Sequence, residues 1–156
     1  MTADTFRAIA RAMTTPAFYP HPVGRIRVRE THISLVFLTG EHVYKLKKPI
    51  DLGFLDFRAL ERRRHFCQRE VEVNRRLAEG VYLGVVAITR EGTGFRLGGA
   101  GEPVEYAVHM RQLRDEDALE ERLRRGDVTS EVVVRVAEHL ADFLRRGASP
   151  PPSMIE

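Results

Sequence analysis

The chain has 156 residues, of which 43% are hydrophobic and 30% charged, and this is the composition of one globular domain. It excludes wholesale disorder and low-complexity architecture, and the single cysteine, Cys67, excludes an internal disulfide. The 25 Lys and Arg nearly balance the 22 Asp and Glu. Because the arginine runs at 62–64 and 75–76 are interleaved with glutamates, we interpret them as solvated helix faces and expect no nucleic-acid partner.

The sequence also argues against a membrane partner. No stretch approaches the roughly 18–20 apolar residues that a bilayer span needs. The charged residues Asp4, Arg7 and Arg11 stand where a secretory signal has its apolar region. We therefore expect a cytoplasmic protein.

The first part of the chain predicts one helix and three strands. Apolar residues at helical spacing predict a helix over 4–13, and a proline-stiffened connector follows. The turn signal at 39–41 predicts that the second and third strands form an antiparallel hairpin. The three predicted strands are 26–30, 33–38 and 43–47.

A long helix is predicted next, from Asp56 as its N-cap to Ala78, with Gly80 just past its end. Two further apolar segments, 85–89 and 104–110, then have strand character, and the short run 95–97, after the turn at 92–94, is a candidate return strand. We count about five strands in all, with one long helix inserted after the third.

The last part of the chain is helical by period. Helices are predicted over 115–125, closed by Gly126, and over 130–146, with Thr129 or Ser130 as the N-cap. The second of these helices has a broad apolar face that needs a partner. The run Pro150-Pro151-Pro152 is expected to end the ordered structure.

Several reaction classes have no motif here. The sequence contains no Gly-x-x-x-x-Gly-Lys-Ser/Thr phosphate loop, no Gly-x-Gly-x-x-Gly, no Cys-x-x-Cys and no His-Glu-x-x-His. The six histidines have no ligand-like spacing, so we expect no metal site. Cys67 lies on the apolar stripe of the long helix and is interpreted as a packed core thiol.

One ordered constellation indicates a function. Val43 and Lys45 lie two apart in a predicted strand and therefore share a face. The following helix presents Glu70, and a later strand runs through 106–113 into helices. A lysine on a sheet face can neutralise phosphate oxygens, and a helix glutamate can hold that ammonium as an ion pair. The alternative for Lys45 is an ordinary exposed strand lysine.

Four segments carry a family resemblance: residues 30–38, residues 43–57, which include the run Lys-Lys-Pro-Ile-Asp-Leu-Gly-Phe-Leu-Asp-Phe, residues 63–77, and Tyr82-Leu83-Gly84-Val85-Val86. They resemble the aminoglycoside phosphotransferase-like family of kinase-fold proteins. The nearest branch is the bacterial one in which this domain is often fused to a C-terminal P-loop ATP-binding domain. The resemblance extends from about Pro20 to Ala148.

The resemblance implies an α+β fold, namely a kinase-like N-terminal lobe followed by a hinge and the first helices of a C-terminal lobe. It implies three regions: a helix and connector over 1–25, the lobe and hinge over 26–113, and the start of a truncated helical lobe over 114–156.

The same resemblance implies that ATP and Mg²⁺ are the cofactors and that a small-molecule hydroxyl is the phosphoryl acceptor. Lys45 matches the lysine on the ATP phosphates and Glu70 its helix partner. Lys47 is the runner-up for the phosphate role, and Glu72 is the less favoured partner.

Further nucleotide contacts are implied around the adenine. Val43 would pack on the base, and Met110 would line the back of the pocket or belong to the core. The carbonyl of Arg111 and the N–H of Leu113 would bond the base. Thr31-His32-Ile33-Ser34 replaces the glycine-rich cover, so any phosphate contact there uses hydroxyls or backbone N–H groups.

The sequence departs from the family after residue 113. The catalytic loop, His-x-Asp-x-x-x-x-Asn in outline, and the second Mg²⁺-binding Asp are absent. We therefore expect no catalytic residue and no metal ligand in this chain, which would be inactive alone and would need a partner chain or domain to supply the missing lobe. The alternative is a non-catalytic nucleotide-binding or protein-docking module.

Overall fold

The computed structural model describes residues 3–147, an α+β structure with a curled six-stranded antiparallel sheet and four α-helices in that range. The strands are β1 (Arg27–Glu30), β2 (Ser34–Leu38), β3 (His42–Lys47), β4 (Tyr82–Glu91), β5 (Gly94–Leu97) and β6 (Pro103–Arg111). The helices are α1 (Ala3–Ala12), α2 (Leu60–Arg75), α3 (Leu119–Arg125) and α4 (Ser130–Arg146). The expected end of order at Pro150–Pro152 lies outside the described residues.

The chain divides into two compact units, residues 1–112 and 113–156. The first unit contains the sheet with α1 and α2, and the second contains α3 and α4. The predicted α+β class is confirmed. The count of about five strands is wrong by one, because Gly92, at φ +57°, turns β4 into β5 as a complete edge hairpin.

The order of strands across the sheet is β1-β2-β3-β6-β4-β5, and every neighbouring pair is antiparallel. The predicted hairpin between β2 and β3 is confirmed, with Val36 opposite Lys45. Gly40 has φ +106° at the turn, a backbone conformation that residues other than glycine rarely adopt. Thr39 closes the turn by donating from N and Oγ1 to the carbonyl of His42, each at 2.9 Å.

The two faces of the sheet are covered by different helices. Tyr44 and Leu46 of β3 pack in a core with α1, which contributes Phe6 and Ile9. Val108 of β6 packs on the other side of the sheet against Cys67 and Val71 of α2. Side chains alternate along a strand, so neighbouring residues of β3 meet two different environments.

Helix α2 is shorter than predicted. The sequence placed its N-cap at Asp56, but the helix begins at Leu60. The carboxylate of Asp56 instead accepts from the backbone N of Arg58 at 2.9 Å and from its guanidinium, and these hydrogen bonds lower the pKa of Asp56 to about 2. The helix ends at Arg75, and Gly80, at φ +74°, belongs to the turn before β4.

The interpretation of the arginine run at 62–64 as a solvated face is wrong for Arg63. Arg62 and Arg64 are exposed, but Arg63 is fully buried and its Nε donates to both oxygens of Glu105 at 2.9 Å. A helix turns 100° per residue, so three consecutive side chains cannot share one face. Arg63 falls on the stripe of Cys67, four residues on, and this stripe faces the sheet.

The second unit contains the two C-terminal helices. Helix α4 has the predicted bounds, and the Thr129 hydroxyl caps it by accepting from the N of Val132. The predicted 115–125 helix is split into a 3₁₀ turn at Asp115–Asp117 and α3, which Gly126 closes with φ +72°. The apolar residues of α4 are largely exposed: Val133, Val134, Val136, Leu140 and Leu144. Within residues 3–147, every helix is too short or too polar to cross a bilayer.

Replacing Arg63 by Met should lower the free energy of unfolding by about 3–5 kcal/mol, because it leaves the carboxylate of Glu105 buried without a partner. Burial already raises the pKa of Glu105, against the hydrogen bonds and charge of Arg63. The double variant with Glu105→Leu should recover most of the loss. Urea unfolding followed by circular dichroism measures both.

Arg62→Met is the matched control for this test, because Arg62 is the exposed neighbour on the same helix turn. It should change the unfolding free energy by about 0.5 kcal/mol or less. Equal effects of the two single substitutions would contradict the buried ion pair.

Candidate functional site

The third strand brings three of the relevant side chains to one face of the sheet. Val43, Lys45 and Lys47 alternate with Tyr44 and Leu46, which enter the α1 core. The face that carries the two lysines is the face on which α2 packs, because both ammonium groups contact a residue of that helix.

That residue is Glu70. It lies seven residues after Arg63 and three after Cys67, and this spacing places all three on the side of α2 that meets the sheet. Glu72 projects elsewhere, and its carboxylate pairs with Arg69 at 2.6 Å. The sequence prediction had ranked Glu70 above Glu72 as the partner of the strand lysine.

Glu70 contacts both strand lysines. Lys45 Nζ lies 2.8 Å from Glu70 Oε1, and Lys47 Nζ lies 2.7 Å from Oε2. The exposed fraction of the side chain is 25% for Lys45, 13% for Glu70 and 5% for Lys47. Two ammonium groups share one carboxylate, so within this triad one positive charge is uncompensated.

The lysines also set the ionisation of the glutamate. Burial raises the pKa of Glu70, whereas the hydrogen bonds from Lys45 and Lys47 and the charges of these lysines lower it. The lowering effects together exceed the effect of burial, so the pKa lies below its ordinary value of 4.5. The carboxylate therefore remains ionised at neutral pH. The triad is a partly buried, net-cationic group suited to binding an anion such as a phosphate.

The expected adenine contacts lie at the other end of the same strand. Val43 is buried at 8% exposure, and its register partner on β6 is Met110. Met110 packs against the core of α2, where Cys67 is fully buried and burial raises the pKa of its thiol to about 12. The interpretation of Cys67 as a packed core thiol is confirmed by this burial.

The two expected hinge residues belong to different units. Arg111 is the last residue of β6, and its N–H donates to the carbonyl of Val81 at 2.9 Å. Leu113 is the first residue of the second unit, and its side chain is 60% exposed. Their proposed contacts with a base stay predictions.

The segment between β1 and β2 is a closed turn. Thr31 N donates to Ser34 O at 2.9 Å, and Ser34 N donates to Thr31 Oγ1 at 3.0 Å. Lys48 holds the turn through Glu30 Oε1 at 2.5 Å and the carbonyl of Thr31 at 2.7 Å. The hydroxyl of Thr31 is therefore engaged within the turn.

Ser34 differs from Thr31. It is fully buried opposite Lys47 in the β2–β3 register, and its Oγ has no hydrogen-bond partner among residues 3–147. A buried hydroxyl without a partner costs about 1–3 kcal/mol, so the fold tolerates an unfavourable atom beside the triad.

The sequence prediction missed a second set of neighbours. His21, His42 and His109 come together on the α1 face, with His109 Nε2 3.0 Å from His42 Nδ1 and His21 Nε2 2.9 Å from the hydroxyl of Tyr44. The pKa of His109 is lowered, mainly by burial and to a smaller extent by the electrostatic effects of His42 and His21. The described residues include no group of three or more His, Cys, Asp or Glu that could hold a metal ion.

Phe57 is another neighbour that the sequence prediction did not assign. It ends the run Gly-Phe-Leu-Asp-Phe, is 2% exposed, and lies with its ring centroid 5.2 Å from Lys47 Nζ. Its carbonyl accepts from Arg63 Nη1 at 2.7 Å. This part of the sequence signature therefore packs beneath the triad.

The lysine content of the sequence points to the same short segment of the chain. Only three of the 25 basic residues are lysines, namely Lys45, Lys47 and Lys48, and the other 22 are arginines. A compact ammonium and a planar guanidinium are not interchangeable. The occurrence of all three lysines within positions 45–48 therefore indicates that this segment requires ammonium groups.

The sequence is similar to three curated mycobacterial proteins. They are the uncharacterized proteins Rv2004c and MT2060 of Mycobacterium tuberculosis (strains H37Rv and CDC 1551) and Mb2027c of Mycobacterium bovis, each 40% identical over 129 residues. The match covers 81% of this chain but 24% of each relative, so the chain spans about a quarter of their length. No family model and no solved structure matches the sequence.

Glu70→Gln should weaken the acid dependence of stability. Because the folded pKa of Glu70 is lowered, its ionised form stabilises the fold above pH 4.5, and this contribution is lost as the pH falls below that value. Urea unfolding at several pH values should show a smaller loss of stability below pH 4.5 in Glu70→Gln than in the wild type. Glu72→Gln, on the exposed side of the helix, should keep the wild-type profile.

Ser34→Ala should leave the unfolding free energy unchanged or raise it by about 1 kcal/mol, because it removes a buried hydroxyl without a partner. Thr31→Ala is the comparison, since it removes the hydrogen bonds of the Thr31 hydroxyl in the turn and should lower stability by about 1 kcal/mol. Thermal and urea unfolding measure both. A marked loss of stability in Ser34→Ala would show that the hydroxyl is satisfied.

Proposed function

We propose that this chain is the nucleotide-binding part of a kinase-like phosphotransferase domain of the aminoglycoside phosphotransferase-like family. The observation that carries the proposal is the contact between Lys45, on the third strand, and Glu70, on the helix that follows it. Protein kinases pair a lysine of their third strand with a glutamate of the next helix, and this lysine binds ATP phosphates.

The arrangement around the pair supports ATP as the ligand. The triad supplies uncompensated positive charge for phosphate oxygens, and Val43 supplies an apolar surface two residues away on the same face. Lys45 would bind and orient the phosphates, and Glu70 would hold the ammonium in place. An ATP-dependent role also fits the cytoplasmic location expected from the sequence.

Residues 3–147 include no group of three or more His, Cys, Asp or Glu that could hold a metal ion. The catalytic loop and the second Mg²⁺-binding Asp of the family are also absent from the sequence, so no catalytic step is assigned to these residues. We propose that the metal ligands, the general base and the contacts to a small-molecule acceptor come from another domain or chain. The matched region is 24% of the mycobacterial relatives, which leaves room in those proteins for the remaining lobe and a fused ATP-binding domain.

The second candidate function is a protein-docking module without catalysis. One observation favours it: α4 exposes five apolar side chains, from Val133 to Leu144, although it is a regular and capped helix. Four of them, Val133, Val136, Leu140 and Leu144, recur at three- and four-residue spacing and share one helix face, and an exposed apolar face is typical of an interaction site. A protein-docking module requires no nucleotide, so a measurement of nucleotide binding distinguishes the two candidate functions.

Titration with a fluorescent ATP analogue tests the proposal. The wild-type chain should bind saturably, and Lys45→Met should weaken binding about tenfold or more, because it removes a charge-assisted bond to phosphate. Arg96→Met is the charge-matched control on the edge strand β5, three strands from β3, and should bind like the wild type. Absence of binding to the wild-type chain would contradict the nucleotide role and favour docking.

A further inference from the structure

Glu70 is shared between two lysines whose surroundings are unequal. Lys47 is held from two sides, by Glu70 Oε2 at 2.7 Å and by the ring of Phe57, and 5% of its side chain is exposed. Lys45 has the other carboxylate oxygen and is 25% exposed. We infer that Lys47 is a positioning residue that keeps Glu70 in place, while Lys45 is the ammonium that meets the phosphate. This inference rests on the proposed function.

Burial decides between the two lysines. A phosphate group has to reach the ammonium that binds it, and the environment of Lys47 is closed by Phe57 below and by Ser34 directly opposite on β2. Phe57 is itself 2% exposed and packs edge-on against Phe66, with the ring centroids 5.1 Å apart. Lys47 is therefore part of the packed interior, and Lys45 is the lysine of the triad that solvent reaches.

The charge balance explains why a second lysine is useful. If Glu70 had one partner only, a turn of that ammonium towards phosphate would leave a partly buried carboxylate uncompensated beside an anion, which is unfavourable. Because Lys47 keeps its contact with Oε2, Lys45 can share its protons with phosphate oxygens while Glu70 stays paired. Lys47 thus acts on the ligand through Glu70 and does not touch it.

The chain offers a direct spectroscopic test, because it contains three lysines only. Lysine labelled with ¹³C and ¹⁵N gives one side-chain signal each for Lys45, Lys47 and Lys48. Single substitutions of Lys45 and Lys48 by Arg assign the signals while keeping the charge. Inorganic triphosphate and ATP, both without metal, are the probes.

Titration of the wild-type chain with triphosphate should move the Lys45 signal saturably and leave the Lys47 signal in place. A shift of the Lys47 signal with a static Lys45 signal would overturn the inference and leave the nucleotide proposal standing. If neither signal moves with triphosphate or ATP, the proposed nucleotide-binding function is contradicted, and so is the assignment of phosphate binding to Lys45.

Variants of Lys47 separate positioning from packing. Lys47→Met should require about tenfold more triphosphate to saturate the Lys45 signal, because Glu70 then retains Lys45 as its partner. Lys47→Arg, which can still bond the carboxylate, should return the midpoint to within about threefold of the wild type. A Lys47→Met chain that binds triphosphate like the wild type would show that Lys47 is structural only.

The pKa of Glu70, followed by ¹³C NMR of its carboxylate, tests the same contact without any ligand. It should rise in Lys47→Met and fall back towards the wild-type value in Lys47→Arg. An unchanged pKa in Lys47→Met would overturn the inference regardless of nucleotide binding.

Discussion

The buried ion pair between Arg63 and Glu105 fixes α2 on the sheet, and the candidate site depends on this attachment. Arg63 also donates to the carbonyls of Phe57 and Arg58, so it joins the helix to the segment that precedes it. Cys67 and Val71 then pack on β6 and β4, and Glu70 reaches the lysines of β3. The position of one carboxylate therefore follows from contacts along more than half of the helix.

Local periodicity accounts for the parts of the fold that the sequence predicted well. The hairpin of β2 and β3 and the bounds of α4 follow from alternation, turn residues and a cap, all of which act over a few residues. The start of α2 was misplaced because Asp56 bonds its own turn at Arg58, although an aspartate before a helical pattern is ordinarily read as a cap.

Long-range contacts were harder to predict. Arg63 meets Glu105 across 42 residues, and His42 meets His109 across 67, so no local spacing contains these pairs. Arg63 lies four residues before Cys67, and this helical spacing could have shown that one arginine of the run faces the sheet. The pairing of Lys45 with Glu70 was predicted from the order of strand and helix together with the resemblance to a family, whereas the sharing of Glu70 with Lys47 was not predicted.

The alternation along β3 has a consequence for how the strand finds its place during folding. A shift by one residue would carry the ammonium groups of Lys45 and Lys47 into the apolar core beneath α1 and expel Tyr44 and Leu46 from it. Such a slipped strand would bury two charges without a carboxylate, so mispairing is strongly disfavoured. The same lysines that define the candidate site thus also select the correct partner for every residue of the central strand.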